Sequence, residues 1–308
     1  MAGEIDHMIA TARQWRGAKM ALATVMATWG SAPRPVGSHM LVHEDGRFEG
    51  SVSGGCVEGE VLHAAADTIA DGTFRRLEFG VDDESAWSTG LPCGGDIVVM
   101  VQPVGPKGFD PALFEAIAEA QGDGRELAIT TDLESGASRV GTEGEGWTNL
   151  YRPPRRLLIV GAVQIAQPLA RITGELGIAV TVIDPRGAFL TEERFPNVSR
   201  DDRWPDEAIG VLKPDKATAV VTLSHDPKID DPALVAALAT PASYIAALGS
   251  RRSHAARCER LAAMGVGEEA IARIDAPAGL PIGSVGPAEI ALSIAAGMVA
   301  AFSATPAT

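Results

Sequence analysis

Apolar and polar positions along the chain change rhythm in a way that separates strands from helices. Residues 5–16 carry apolar side chains at helical spacing, and the run at 19–27 then reads as a strand. The loop Gly30-Ser31-Ala32-Pro33-Arg34-Pro35-Val36-Gly37-Ser38 follows, punctuated by glycine and proline. Two short apolar runs, 40–43 and 48–52, flank Glu44-Asp45-Gly46 and predict a hairpin. From 57 to 70 the apolar positions fall at 57, 61, 62, 65, 66 and 69, one face of a helix, so Cys56 lies at or near a helix start. The run 97–101 predicts a strand, with Cys93-Gly94-Gly95 at its entrance. Beyond it the pattern predicts a helix at 110–121, a strand at 126–131 and a Gly-rich acidic turn at 141–146, with no chemistry of note.

The stretch Arg152-Pro153-Pro154-Arg155-Arg156 has neither rhythm and marks a boundary. After it, strands at 157–160, 180–183, 217–223 and 243–247 alternate with helices at 164–175, 231–239 and 252–264. Such alternation implies parallel strands with helices on both faces. The expectation is an α/β protein: a mixed α/β domain over 1–151, then a Rossmann-like, doubly wound parallel sheet over 155–308. The first of these strands runs into Gly161-Ala162-Val163-Gln164-Ile165-Ala166, and Asp184 ends the second, where an acidic residue can bond a ribose hydroxyl. Val163 stands where a dinucleotide fingerprint has its middle glycine, and its side chain opposes the approach of a pyrophosphate. The apolar stretch 285–304 holds Pro287 and Glu289 and is rich in Ala and Gly, which favours a buried helix over a membrane span.

Composition narrows the function classes. With 308 residues, 46% of them apolar and 21% charged, the chain has enough apolar surface for two ordered domains. A formal charge of -14, with no basic block, argues against nucleic acid as the main partner. The start of the chain carries Glu4 and Asp6 instead of the basic and apolar regions of a signal peptide, so the expected location is the cytoplasm. Three cysteines without a C-x-x-C pair fit neither a disulfide framework nor a four-thiolate zinc site.

Candidate chemistry gathers at a few joints. A thiol at a helix start faces unpaired amide donors, which suits Cys56 to a role as nucleophile or soft ligand; its alternative is ordinary packing. Gly54-Gly55 before Cys56 and Gly94-Gly95 after Cys93 free the backbone to close around a ligand. Cys258 falls inside a helical pattern and reads as packing. Ser250, Arg251 and Arg252 follow the strand at 243–247, at the edge where ligands of open α/β sheets collect, and form either an anion site or a solvated helix start. His225, after the strand at 217–223, is a proton carrier or a structural donor. Arg34 is placed to reach a phosphate or simply to decorate a turn.

Taken together, GSAPRPVGSHMLV (30–42), GSVSGGCVEGEV (50–61), LPCGGDIVV (91–99), DPRGAFLTEERFP (184–196), SHDPKIDDPAL (224–234), YIAALGSRRSHAARCERL (244–261) and GLPIGSVGPAEIALSIAA (279–296) resemble the XdhC/CoxI family. The resemblance runs over nearly the whole chain. It implies an accessory protein that binds molybdenum cofactor, as molybdopterin or its dinucleotide form. Such a protein protects the cofactor while a cysteine desulfurase installs the terminal sulfido ligand, and inserts it into the apo-enzyme of a molybdenum hydroxylase of the xanthine dehydrogenase type. Carried over by position, Cys56 and Cys93 stand near the metal or the dithiolene and count as metal-contacting thiols, with Gly54, Gly55, Gly94 and Gly95 around them. Ser250, Arg251 and Arg252 take the pterin phosphate, and His225 and Asp184 belong to the same cofactor-binding set.

The chain departs from the family pattern at GAVQIA (161–166), where many members have a GAGHVA-like turn, and at Ala296-Gly297, where an Ala-Glu pair is common. The first weakens any binding of NAD(P) at that turn. An NAD(P)-dependent oxidoreductase with His225 as acid or base, and a scaffold that holds no cofactor, remain as alternatives to a chaperone without turnover. Twofold association is the commonest for soluble oligomers, so a homodimer is expected.

Overall fold

The computed structural model describes residues 4–30, 34–80 and 96–304. Two compact units divide the chain, the first ending at Pro153 and the second beginning at Pro154.

The first unit contains α1 (Glu4–Gln14), β1 (Met20–Trp29), β2 (His39–His43), β3 (Phe48–Gly50), α2 (Glu58–Asp71), β4 (Arg75–Phe79), β5 (Asp96–Pro103), α3 (Pro111–Gly122), β6 (Leu127–Thr131), β7 (Ser138–Val140) and β8 (Trp147–Tyr151). A five-stranded antiparallel sheet has the order β3-β2-β1-β5-β4, and β7-β6-β8 form a separate three-stranded one. The predicted hairpin is β2 paired with β3, Val42 opposite Phe48. The near-continuous apolar run of β1 follows from a sheet covered on both sides. Ala21, Ala23 and Val25 pack with Val61 and Ala65 of α2, whereas Met20 and Leu22 pack with Met8 of α1 and Phe114 of α3.

The second unit contains β9 (Arg156–Val160), α4 (Ala166–Glu175), β10 (Ala179–Ile183), β11 (Ser199–Asp201), α5 (Pro205–Leu212), β12 (Thr218–Thr222), α6 (Pro227–Leu238), β13 (Tyr244–Ala247), α7 (Arg251–Ala263), α8 (Glu268–Ile271), β14 (Ile274–Asp275) and α9 (Pro287–Ala304). Its sheet has six strands, all parallel, in the order β11-β10-β9-β12-β13-β14. Counted within the unit this is 3-2-1-4-5-6, the Rossmann order, with the reversal of direction between β9 and β12. Leu157 and Ile159 of β9 face a core built with Leu169 of α4 and Met298 of α9, and Leu158 and Val160 face another with Ile209 of α5 and Leu234 of α6. Among the described residues no helix is long and apolar enough to cross a membrane.

Gly297 lies in a tightly packed part of α9. A Cβ there would lie 3.0 Å from the Tyr244 hydroxyl and 3.1 Å from the Gly279 Cα, so a side chain would require these neighbours to give by a few tenths of an ångström. The Tyr244 hydroxyl in turn donates to Asp275 at 2.5 Å, and the same Oδ2 accepts the Gly279 amide at 3.0 Å.

Candidate functional site

In the first unit the chemistry centres on the loop between β3 and α2. Gly54 and Gly55 both have positive φ, +85° and +120°, a succession that side-chain-bearing residues adopt at a cost. The conformation turns their amides onto Glu58, the first residue of α2. Glu58 Oε1 accepts from the Ser51 hydroxyl (2.6 Å), Ser53 N (2.9 Å) and Gly54 N (3.0 Å). Glu58 Oε2 accepts from the Ser53 hydroxyl (2.5 Å) and Gly55 N (2.8 Å). Burial works to raise the Glu58 pKa, but the hydroxyls of Ser51 and Ser53 and the amide donors outweigh it and lower it to about 2. The buried Ser53 hydroxyl also accepts the amides of Cys56 (3.0 Å) and Val57 (3.1 Å), fixing the approach to the helix.

Cys56 therefore sits on a loop whose donors are already directed inward. It is a free, half-buried thiol at the margin of the α2 core. Cys93, Gly94 and Gly95 lie outside the described residues. Arg34 is held by Glu4, with bonds of 2.8 and 2.5 Å, and the guanidinium lowers the Glu4 pKa chiefly through those hydrogen bonds.

Beneath the same sheet, His39 Nδ1 is 2.8 Å from the Thr24 hydroxyl, and Nε2 is 3.1 Å from the Tyr151 hydroxyl and 3.3 Å from Asn149 Nδ2. Burial lowers the His39 pKa to about 4, so the ring is neutral at pH 7. Nothing in the sequence pattern singled it out, because its partners come from positions 15 to 112 residues away.

In the second unit, Asp184, His225 and Ser250 follow β10, β12 and β13, so parallel topology brings them to one edge of the sheet. The switch point lies where Gly161 packs against Ser224: a Cβ on Gly161 would meet Ser224 N at 2.8 Å. Asp184 is fully buried, and both of its oxygens are engaged. Oδ2 accepts Ala162 N at 2.7 Å, and the carboxylate pairs in bidentate fashion with Arg186 at 2.8 Å for both bonds. Burial opposes its ionisation, yet the Arg186 bonds prevail and lower its pKa. Arg194 holds the other side of the turn through the Ala162 carbonyl at 2.9 Å, and both guanidinium groups stack on Phe189, at 4.5 and 5.5 Å. Val163 packs against the core beside the turn. The segment 184–195 thus clamps the turn at which a dinucleotide would dock.

His225 is exposed and has φ +62°, while its amide donates to Asp230 at 3.1 Å. Asp230 is buried and also accepts the Ser224 hydroxyl at 2.6 Å. Ser250 caps α7 by accepting Ser253 N at 3.1 Å, and Arg251 and Arg252 are exposed on its first turn. Sequence reasoning missed Arg257, one turn further along α7. It is only 4% exposed, its Nη2 donates to the Leu248 carbonyl at 2.9 Å, and Nε and Nη1 are buried without a hydrogen-bond partner among the described residues. The available signal was its place four residues before Leu261, on the buried stripe of the helix. Cys258 lies 3.4 Å from His254 Nε2 and packs against the α5–α6–α7 core.

Comparison with known proteins places these features in a family. A sequence model of the XdhC Rossmann domain matches residues 157–298, and one of the XdhC and CoxI family matches residues 14–80. The molybdenum cofactor insertion chaperone PaoD of Escherichia coli is 30% identical over 267 residues, 84% of this chain and 76% of that protein. A Bacillus subtilis protein described as a probable xanthine dehydrogenase subunit is 27% identical over 90% of this chain and 92% of its own length. A crystal structure described as a xanthine dehydrogenase from Bacillus halodurans has a TM-score of 0.78 at 23% identity, covering 100% of this chain and 97% of that one, a likeness of fold.

Proposed function

Since the chain belongs to the XdhC and CoxI family, we propose that it is a chaperone for molybdenum cofactor, which it carries as cargo. In this reading it holds the cofactor during sulfuration by a cysteine desulfurase and inserts it into a molybdenum hydroxylase of the xanthine dehydrogenase type. The observation that carries the reading is the relationship to the insertion chaperone PaoD, which spans 84% of this chain.

The local geometry supports a holding role. Cys56 is a free thiol on a loop that Glu58 braces at five points, so the sulfur is presented from a fixed support. Thiol sulfur suits a sulfur-bearing molybdenum group. Cys56 and Cys93 are the proposed contacts to the metal or dithiolene, flanked by Gly54, Gly55, Gly94 and Gly95. Gly54 and Gly55 act chiefly by shaping the loop, because their amides face Glu58. Ser250, Arg251 and Arg252 are proposed for the pterin phosphate. Exposed His225 borders that edge, and Asp184 supports it from below by fixing Ala162. A cytoplasmic homodimer is the working form we propose.

The strand order 3-2-1-4-5-6 favours a second reading, nicotinamide-dependent oxidation and reduction. Asp184 argues against it: a ribose diol needs a free carboxylate, and this one is paired with Arg186 and Ala162.

Activation of an apo-hydroxylase by the purified, cofactor-loaded chain tests the proposal. Activation should occur with the wild type and fall with Cys56→Ala and Cys93→Ala. Unchanged activation with both variants removes the cysteine assignment.

A further inference from the structure

Beneath the turn between β13 and α7 lies a buried cation of α7, two of whose donor atoms have no partner among the described residues. A guanidinium has five N–H donors. Arg257 uses Nη2 for the Leu248 carbonyl, and its Nε and Nη1 have no partner among the described residues although they are shielded from solvent. The buried carboxylate of Asp230, in charge contact with Arg257, already accepts the Ser224 hydroxyl and the amides of Ser224 and His225. Asp230 faces the charge but leaves these two N–H groups open, and buried donors without an acceptor are costly; a bound anion that accepts from them removes that cost.

Its position fits this role. Nη2 lies 3.7 Å from where a Cβ on Gly249 would be, so the guanidinium is directly under the turn. Gly249 has φ +141° and presents bare backbone there. The turn leads into the N-terminus of a 13-residue helix, where the amides of Arg251 and Arg252 have no intrahelical acceptor and Ser253 N is capped by Ser250.

We propose that Arg257 is the buried counter-charge of a phosphate-binding site over Leu248-Gly249-Ser250, and that it contributes more to anion affinity than the exposed Arg251 and Arg252. The ligand is a phosphate group, either a terminal monoester or a bridging pyrophosphate. Exposed arginines act through screening solvent, whereas a buried cation is screened less. The inference deepens the cofactor-carrier reading, since a phosphorylated pterin offers this group.

Thermal unfolding of the full chain with inorganic phosphate and, separately, with pyrophosphate tests it. Both anions should raise the Tm with concentration, and the tighter one identifies the terminal or the bridging form. Arg257→Gln should weaken the apparent affinity about tenfold or more, the loss expected for a charge-assisted contact. The Arg251→Gln/Arg252→Gln double variant should weaken it less. A simple packing role for Arg257 would lower the Tm while leaving the anion dependence intact, and that result overturns the proposal. So does equal or greater loss in the double variant, or no stabilisation of the wild type by either anion. Should Arg257→Gln not fold, hydrogen–deuterium exchange of the wild type decides: pyrophosphate should protect residues 248–257, and protection only elsewhere refutes the site. Because the probes are inorganic, intact pyrophosphate binding with no bound pterin would overturn the carrier reading alone.

Discussion

The Ser53 hydroxyl lies 2.5 Å from Glu58 Oε2 and at the same time accepts the Cys56 amide, so one side chain ties the helix carboxylate to the residue that bears the thiol. The arrangement joins the approach to the helix, glycine conformation and the placement of a sulfur in one hydrogen-bonded unit.

Glu58→Gln should loosen that unit. An amide oxygen replaces only one of the two acceptors, and the new NH2 group opposes the donors that remain. Unsatisfied donors of this kind cost about 1 to 3 kcal/mol each. The expected loss is about 2 to 4 kcal/mol in urea unfolding, accompanied by faster reaction of Cys56 with a thiol reagent. An unchanged labelling rate would mean that the loop keeps its shape without the carboxylate.

Acid should destabilise the first unit in two windows. His39 is held near pKa 4, below its ordinary 6.5, so the unfolded chain binds more protons between these values and stability falls as the pH drops from 6.5 towards 4. Glu58 is lowered from 4.5 to about 2, so its contribution is complete above 4.5 and is lost as the pH falls towards 2. Unfolding free energy measured against pH should show the upper window shrink in His39→Gln and the lower one shrink in Glu58→Gln, with part of the lower one remaining because Glu4, Asp45 and Asp71 are also held below their ordinary values.

Much of the second unit was legible because its strands are short apolar runs with helices at regular intervals between them. Each strand predicted there overlaps an observed strand, and the Rossmann order follows from parallel pairing. The segment 185–216 gave no such signal: β11 has three residues, two of them charged, and α5 only eight, so neither displays a full period. At the candidate sites, local motifs located Cys56 and Ser250. Sequence could not reveal where the donors point. The amides of Gly54 and Gly55 turn to Glu58, Asp184 is taken by Ala162 and Arg186, and Arg257 is buried, all of which depend on tertiary contacts.

The clamp on the first turn of the second unit predicts a stability effect and a binding result. Asp184→Ala leaves the Ala162 amide without its acceptor while the partly exposed Arg186 guanidinium can turn to solvent, and should cost about 1 to 3 kcal/mol in chemical unfolding. NAD(P)H fluorescence should show no saturable binding at micromolar concentrations in the wild type. Saturation would revive the oxidoreductase reading.

Gly297→Ala should destabilise the second unit by about 1 to 3 kcal/mol through overpacking against Tyr244 and Gly279. A Tm equal to that of the wild type would show that α9 shifts freely to admit the methyl group.

The most direct measurement isolates the chain from cells that make molybdenum cofactor, oxidises the purified protein and assays the fluorescent pterin derivative. The wild type should carry pterin in amounts comparable to protein, and Cys56→Ala should carry much less at equal folding. Wild-type protein free of pterin after gentle isolation would contradict the account.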